Sequence, residues 1–368
     1  MVNPAIAVPA VSALVFRAWS RKTLTPAGIF AAATTAVIHV LHPWILPFLL
    51  LTVFYLGGSQ ATKVKHDIKA QLTLSASGAR GGEGARNHLQ VLANSIVATV
   101  IVALHIYFMW KEERYAATCF AQGADIGDVF VIGFIANYAA VAADTFSSEL
   151  GILSKTPPRL ITSPTLKVVP PGTNGGVTLA GLLAGVFGAF TVALTSVLFV
   201  PFCAESWSLF DRLGFVIAVT VWGTLGSLLD SFLGGFLQAS VVDKRTGKVV
   251  EGDGGRKVLV RPSSTKPSAT TDSDVAKYDS DIHATESTAN AVSRTATSAG
   301  LASAKSQQPS RVVSAAEGGH NSRKVETGFD ILDNNAVNVL MAAIMSVGAM
   351  VLAGYYWNIP LQIGEVFS

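Results

Sequence analysis

The stretch AGIFAAATTAVIHVLHPWILPFLLLTVFYLGG, residues 27–58, is an apolar run of 32 residues. As a single α-helix it would extend about 48 Å, against a hydrocarbon core of about 30 Å. HVLHPW, residues 39–44, supplies a break, because Pro43 lacks a backbone donor and favours a turn. The run therefore reads as a hairpin of two membrane helices rather than one long helix or a buried core segment.

Working outward, further apolar runs lie at 88–110, 127–143, 175–203, 214–240 and 336–357. A weaker one, 4–16, is followed rather than preceded by basic residues (Arg17, Arg21, Lys22), which suits an uncleaved first span or signal anchor. The expectation is an all-α, polytopic membrane protein of about seven or eight transmembrane helices. Composition agrees: 368 residues that are 50% hydrophobic and 14% charged, with mean hydropathy +0.45, describe a chain whose solvent includes the bilayer. The net charge of +3 is dispersed in short clusters without a basic, aromatic-laced stripe, so nucleic acid is excluded as a partner.

Charge placement sets the topology. With eight spans, the odd-numbered loops up to the fifth hold eleven Lys and Arg and the even-numbered ones up to the sixth hold three, which makes the odd loops cytoplasmic and puts both termini on the other side. Residues 1–242 are read as a membrane domain with seven spans, 243–327 as a disordered cytoplasmic loop and 328–368 as the last span of the same domain. The loop is rich in Ser, Thr and Ala and poor in aromatics, so it buries too little to offset ordering entropy. Cys119 and Cys203 fall in non-cytoplasmic loops, where an oxidising lumen permits a disulfide. Spacing cannot establish their proximity, and two unpaired thiols are expected. Two cysteines, and histidines without ligand spacing, argue against a structural metal cage.

The polar stretches all fall on the cytoplasmic side. A carboxylate within a span costs at least roughly 2.5–3.5 kcal/mol, so Asp144 and Asp230 each need a partner or a polar cavity. Asp230 lies on a stripe of small and polar residues with Gly223, Ser227 and Gly234; helix packing explains the small residues without needing the acid. Asp144 and Glu149 are about 500° apart on a straight helix and would share a cation only if the helix ended or unwound between them, as Gly151 suggests. PPGTNGG, residues 170–176, reads as the open start of a helix: Gly172, Gly175 and Gly176 let an anion approach unpaired N–H groups, and Thr173 or Asn174 could cap the helix or ligate a metal. Lys63, Arg86 and Lys155 are candidate phosphate contacts, though basic residues at an interface also meet headgroups. Asn334 and Asn335, which open the last span, are further candidate nucleotide or phosphate contacts. Acids for a divalent cation beside donors for phosphate are the equipment of phosphoryl or nucleotidyl transfer.

These motifs, GGSQATKVK, RNHLQVLANS, ADTFSSELGILSKTPPRLIT, PPGTNGGVTLAGLLAG, GTLGSLLDSFLG and GFDILDNNAVN, resemble those of the transmembrane protein 19 family, an integral membrane group long filed as a domain of unknown function. They run from Gly57 to Asn338, interrupted by an insertion at 243–327 that looks longer than usual. The resemblance implies an activity like that of plant phytyl phosphate kinases, which convert a prenyl monophosphate to the diphosphate with a nucleoside triphosphate, and a distant kinship to dolichol kinases and phosphatidate cytidylyltransferases. It implies Asp144, Glu149, Asn174 and Asp230 as metal and nucleotide residues, and Lys63 and Arg86 as phosphate contacts. The expectation is thus a Mg²⁺-dependent phosphotransferase acting on an isoprenyl phosphate in an endomembrane such as the endoplasmic reticulum. Its partners are the bilayer and the lipid substrate, and the sequence points to no protein partner. A CTP-dependent nucleotidyltransferase and a transporter are the alternatives.

Overall fold

The computed structural model describes residues 3–79, 81, 84–111, 119–123, 126–258 and 322–359. Among them are nine α-helices: α1 (Pro4–Ser20), α2 (Pro26–Leu41), α3 (Leu46–Lys63), α4 (His66–Leu72), α5 (His88–Lys111), α6 (Ile126–Gly151), α7 (Leu179–Phe199), α8 (Leu209–Leu237) and α9 (Asn334–Tyr356). The multi-pass helical architecture is as expected. The 32-residue run is a hairpin of α2 and α3, broken at His42 as read from Pro43. Five helices, α5 to α9, are long and apolar enough to cross a membrane; α1 and α2 are apolar but shorter, with 17 and 16 residues.

Local chemistry sets the ends. Thr25 accepts from the Gly28 N–H and Pro26 opens α2; Ser208 and Asp211 form a capping box on α8; Asp333 caps α9 through the Ala336 N–H. α6 is the hub, its residues buried nearly all round, because its run of alanines lets neighbours approach closely. A Cβ on Gly188 of α7 would sit 2.6 Å from the Ala142 carbonyl oxygen, and one on Gly223 of α8 would sit 2.7 Å from that of Ala139. Small residues are how membrane helices gain packing contact where burial from water offers no drive. The outward faces of α7 and α8 carry exposed Leu183, Phe187, Leu198, Ile217, Val221 and Phe236, a surface suited to lipid.

Several polar groups inside this bundle are paired. The His39 ring sits 2.8 Å from the Thr35 carbonyl through Nδ1, so Nε2 is left to accept the Tyr138 hydroxyl at 2.7 Å. Trp44 N–H donates to His42 Nδ1, and His42 Nε2 lies 3.0 Å from His105 Nδ1. These bonds tie the α2–α3 hairpin to α5 and α6. At the same end of the bundle Cys119 and Cys203 form a disulfide, contrary to the expected free thiols; the strand-like pairing of Phe120 with Phe202 brings them together across 84 positions. Phe120, Phe202, Trp207, Phe215 and Trp357 cluster beside it, as aromatic residues do at a membrane interface.

The opposite end carries a small sheet with the order β1 (Leu74–Ser75), β5 (Val249–Glu251), β4 (Ser240–Asp243), β6 (Arg323–Thr327). β4 runs antiparallel to both neighbours, and β1 is parallel to β5. A two-stranded ribbon joins β2 (Arg159–Leu160) to β3 (Gly176–Val177). The sheet corrects the expected extent of disorder: the chain is ordered from Asp243 through Val258 and again from Ser322, with Val241, Val242, Val249 and Val250 buried. Residues 259–321 of the expected loop lie outside the described residues.

Candidate functional site

The C-terminal ends of α6 and α8 and the N-terminal ends of α5, α7 and α9 meet at the sheet end of the bundle, around a cavity of about 300 Å³. Asp144 of α6 and Asp230 of α8 line it with their carboxyl groups facing each other within hydrogen-bonding reach. Asn338, its amide turned so that the nitrogen meets acceptors, donates to Asp230 Oδ1 at 3.2 Å and to the Asn334 carbonyl at 3.0 Å. Two carboxylates this close repel strongly where water is scarce. A bound cation removes that penalty, and the donor set of two acids with flanking amides fits Mg²⁺, which takes one or two carboxylates and leaves its other positions to water and phosphate.

Glu149 lines the same cavity but is engaged elsewhere. α6 continues unbroken to Gly151, so the side chains of Asp144 and Glu149 leave it in different directions. Lys69 Nζ donates to Glu149 Oε2 at 2.6 Å, Thr62 Oγ1 donates to Oε1 at 2.7 Å, and Arg86 Nη2 lies 3.5 Å from Oε1. The Lys69 and Glu149 side chains are 8% and 15% exposed, which makes this a nearly buried pair. Among the described residues no three acidic, histidine or cysteine side chains form a metal-holding group, so the expected three-acid set reduces to two.

The 170–176 segment also differs from its reading. It is a turn ahead of α7, and the cap is Thr178, which accepts from the Gly181 N–H at 3.0 Å. The N–H groups of Thr173 and Gly176 donate within the turn, and that of Asn174 donates to Ser240 Oγ at 2.9 Å, so these amides brace the loop instead of forming an open cradle. Gly175, at φ +78°, lets the turn pack on α8: a Cβ there would lie 2.6 Å from Gly235 Cα. Gly172, Thr173, Asn174, Gly175 and Gly176 nevertheless all line the cavity, as do Arg86, Asn334 and Asn335. Asn335 is partly committed, donating to the Gly254 carbonyl at 3.0 Å. Lys63 and Lys155 are exposed and do not line it.

Several lining residues escaped the sequence reading. Gln90 and Asn94 contribute from α5 and Asn338 from α9; each sits four residues from another polar residue at the start of an apolar span, a signal that periodicity could have shown. The role of Lys69 had no local signal, since its acid lies 80 positions away.

Fold and site together define a multi-pass membrane protein with a two-acid polar site at one end of its bundle. The chain belongs to the family described as Integral membrane protein DUF92, whose profile matches residues 9–346, in keeping with the resemblance carried by the motifs. It is 38% identical over 243 residues to Protein PGR of Arabidopsis thaliana, covering 65% of this chain and 80% of that one. It is 31% identical over 218 residues to an uncharacterized membrane protein of Methanocaldococcus jannaschii, covering 59% and 76%. With Protein VTE6, chloroplastic, of Arabidopsis thaliana it shares 33% identity over 171 residues, 46% of each chain. No solved structure matches.

Proposed function

We propose that the protein is an integral membrane kinase that uses Mg²⁺ to transfer a phosphoryl group from a nucleoside triphosphate to an isoprenyl monophosphate. The observation that carries this reading is the Asp144–Asp230 pair, held face to face in a cavity that Arg86 and the 170–176 turn also line. Asp144 and Asp230 would hold the cation, which when bound supplies charge neutralisation for the transferring phosphoryl group. Glu149 acts through its neighbours: with Lys69 as its second partner, it holds Arg86, which lines the cavity, and this makes it a positioning residue.

The acceptor chemistry fits a site of this kind. A phosphate monoester has a second pKa near 6, so its attacking oxygen is already ionised at neutral pH and no side chain has to take a proton from it. That oxygen forms the new bond to the γ-phosphorus, the bond to the bridging oxygen breaks, and the nucleoside diphosphate leaves. A second cavity of about 580 Å³, under the sheet, shares Gln90, Gly172, Asn174 and Gln238 with the first and offers room for the nucleoside.

Orientation has two independent supports. Basic residues gather at the site end of the bundle. The Cys119–Cys203 disulfide lies at the other end, which suits an oxidising compartment there. Both favour a cytoplasmic site in an endomembrane such as the endoplasmic reticulum. The purified full-length chain given prenyl phosphates with ATP, CTP, GTP or UTP and Mg²⁺ tests the reading. A prenyl diphosphate and nucleoside diphosphate are expected; pyrophosphate release with a nucleotide retained on the lipid would make it a nucleotidyltransferase instead.

A further inference from the structure

A third cavity lies in the apolar part of the bundle, between α1, α2, α3 and α5. Leu14, Ala32, Ala36 and Phe54 are among its walls, and its polar end is formed by Arg86, Gln90 and Asn94. Those three residues also line the cavity that holds Asp144 and Asp230, so the apolar groove and the polar site open onto the same side chains. The junction is built into the backbone. Thr25 N–H donates to the Arg86 carbonyl at 3.0 Å and Arg86 N–H donates to the Thr23 carbonyl at 3.0 Å, which pins the segment carrying Arg86 to the turn between α1 and α2. Gly28 makes the approach possible, since a Cβ there would lie 2.7 Å from the Arg86 carbonyl oxygen.

We infer that this groove is the binding site for the hydrocarbon chain of the lipid phosphate, with the phosphate at Arg86, Gln90 and Asn94 and the chain running between α1 and α2 towards Phe54. The inference rests on the proposed reading for what happens to the phosphate, but not for where the chain lies. Three features suit the groove to a single hydrocarbon chain carrying a phosphate. It is narrow, with a volume of about 80 Å³. The guanidinium at its polar end complements a phosphate. The small side chains of Ala32, Ala33 and Ala36 line the α2 wall, leaving space where larger residues would close it. Beyond the enclosed part the chain continues along α1, whose outer face, with Ile6, Val8, Phe16 and Trp19 exposed, meets the lipid.

Photolabelling and substitution test this together. A 20-carbon prenyl phosphate bearing a terminal diazirine, applied to the full-length protein in detergent, is expected to label peptides of α1, α2 or α3 saturably. Competition by unlabelled prenyl phosphate should remove that label. Saturable labelling confined to the outward faces of α7 and α8, or no saturable labelling, would overturn the inference. Ala32→Phe is expected to raise KM for the 20-carbon phosphate at least tenfold and to weaken its saturable labelling. Ala32→Leu should give smaller changes in the same direction, and thermal unfolding in detergent within a few degrees of the parent shows that the variants fold. Unchanged KM and labelling in both folded variants would count against the groove. Groove labelling without turnover would remove the kinase reading alone; turnover with labelling elsewhere would remove this inference alone.

Discussion

Asp144 and Glu149 differ by five positions on α6 and by everything around them. Asp144 meets another acid across the cavity, whereas Glu149 meets Lys69, Thr62 and Arg86. Opposite stability outcomes follow. Glu149→Gln strands a nearly buried ammonium and should lower stability by about 3 kcal/mol; adding Lys69→Met should recover most of that loss, as thermal unfolding in detergent would show. If the single and double variants melt together, the pair is not what holds this wall. Asp144→Asn or Asp230→Asn removes one of two facing acids, so without divalent cation each variant should melt no lower than the parent. The acids were legible in sequence because intramembrane carboxylates need a reason to be there. Their division of labour was not: it depends on whether α6 breaks before Gly151, and on a lysine far away in the chain.

At the scale of elements, the 170–176 turn shows what sequence could and could not reveal. Its prolines and glycines announced a special backbone beside a helix start, and the turn lines the cavity. They also suggested free amides, yet Ser240 on β4 takes part of that hydrogen bonding. β4 itself was hidden, since SVVD, VVE and RKVET are short runs beside a low-complexity segment and acquire a pattern only when they pair. Gly175→Ala should strain a positive-φ position and push the turn off Gly235. A drop of about 1–2 kcal/mol in stability, with a matching rise in nucleotide KM, is expected; a variant with unchanged KM would remove the turn from the nucleotide site. Cys119→Ser tests the other end of the bundle. Opening a cross-link between residues 84 positions apart should cost about 2–4 kcal/mol in stability. Turnover below the melting transition should stay unchanged, because the link lies at the opposite end of the bundle from the site. Spacing alone could not reveal that bond, because it depends on the start of α6 and the end of α7 lying side by side.

The whole molecule sorts its chemistry along one axis. A disulfide and an aromatic cluster close one end, hydrogen-bonded histidines tie the interior, and acids, amides and basic residues gather under a sheet at the other. Hydropathy made the membrane helices readable, because the bilayer imposes helix length directly. The cavities were unreadable in advance, since each draws side chains from helices far apart in sequence. Their junction underlies the proposed function: the cavity of the two acids adjoins the cavity under the sheet on one side and an apolar groove on another. The most direct test of that function is lipid-product analysis with the purified chain, a prenyl monophosphate, Mg²⁺ and a nucleoside triphosphate. The account predicts prenyl diphosphate from the parent protein and at least about 100-fold less from Asp144→Asn and Asp230→Asn. Full activity in both variants, or no diphosphate from the parent with any of the four nucleotides, would contradict it.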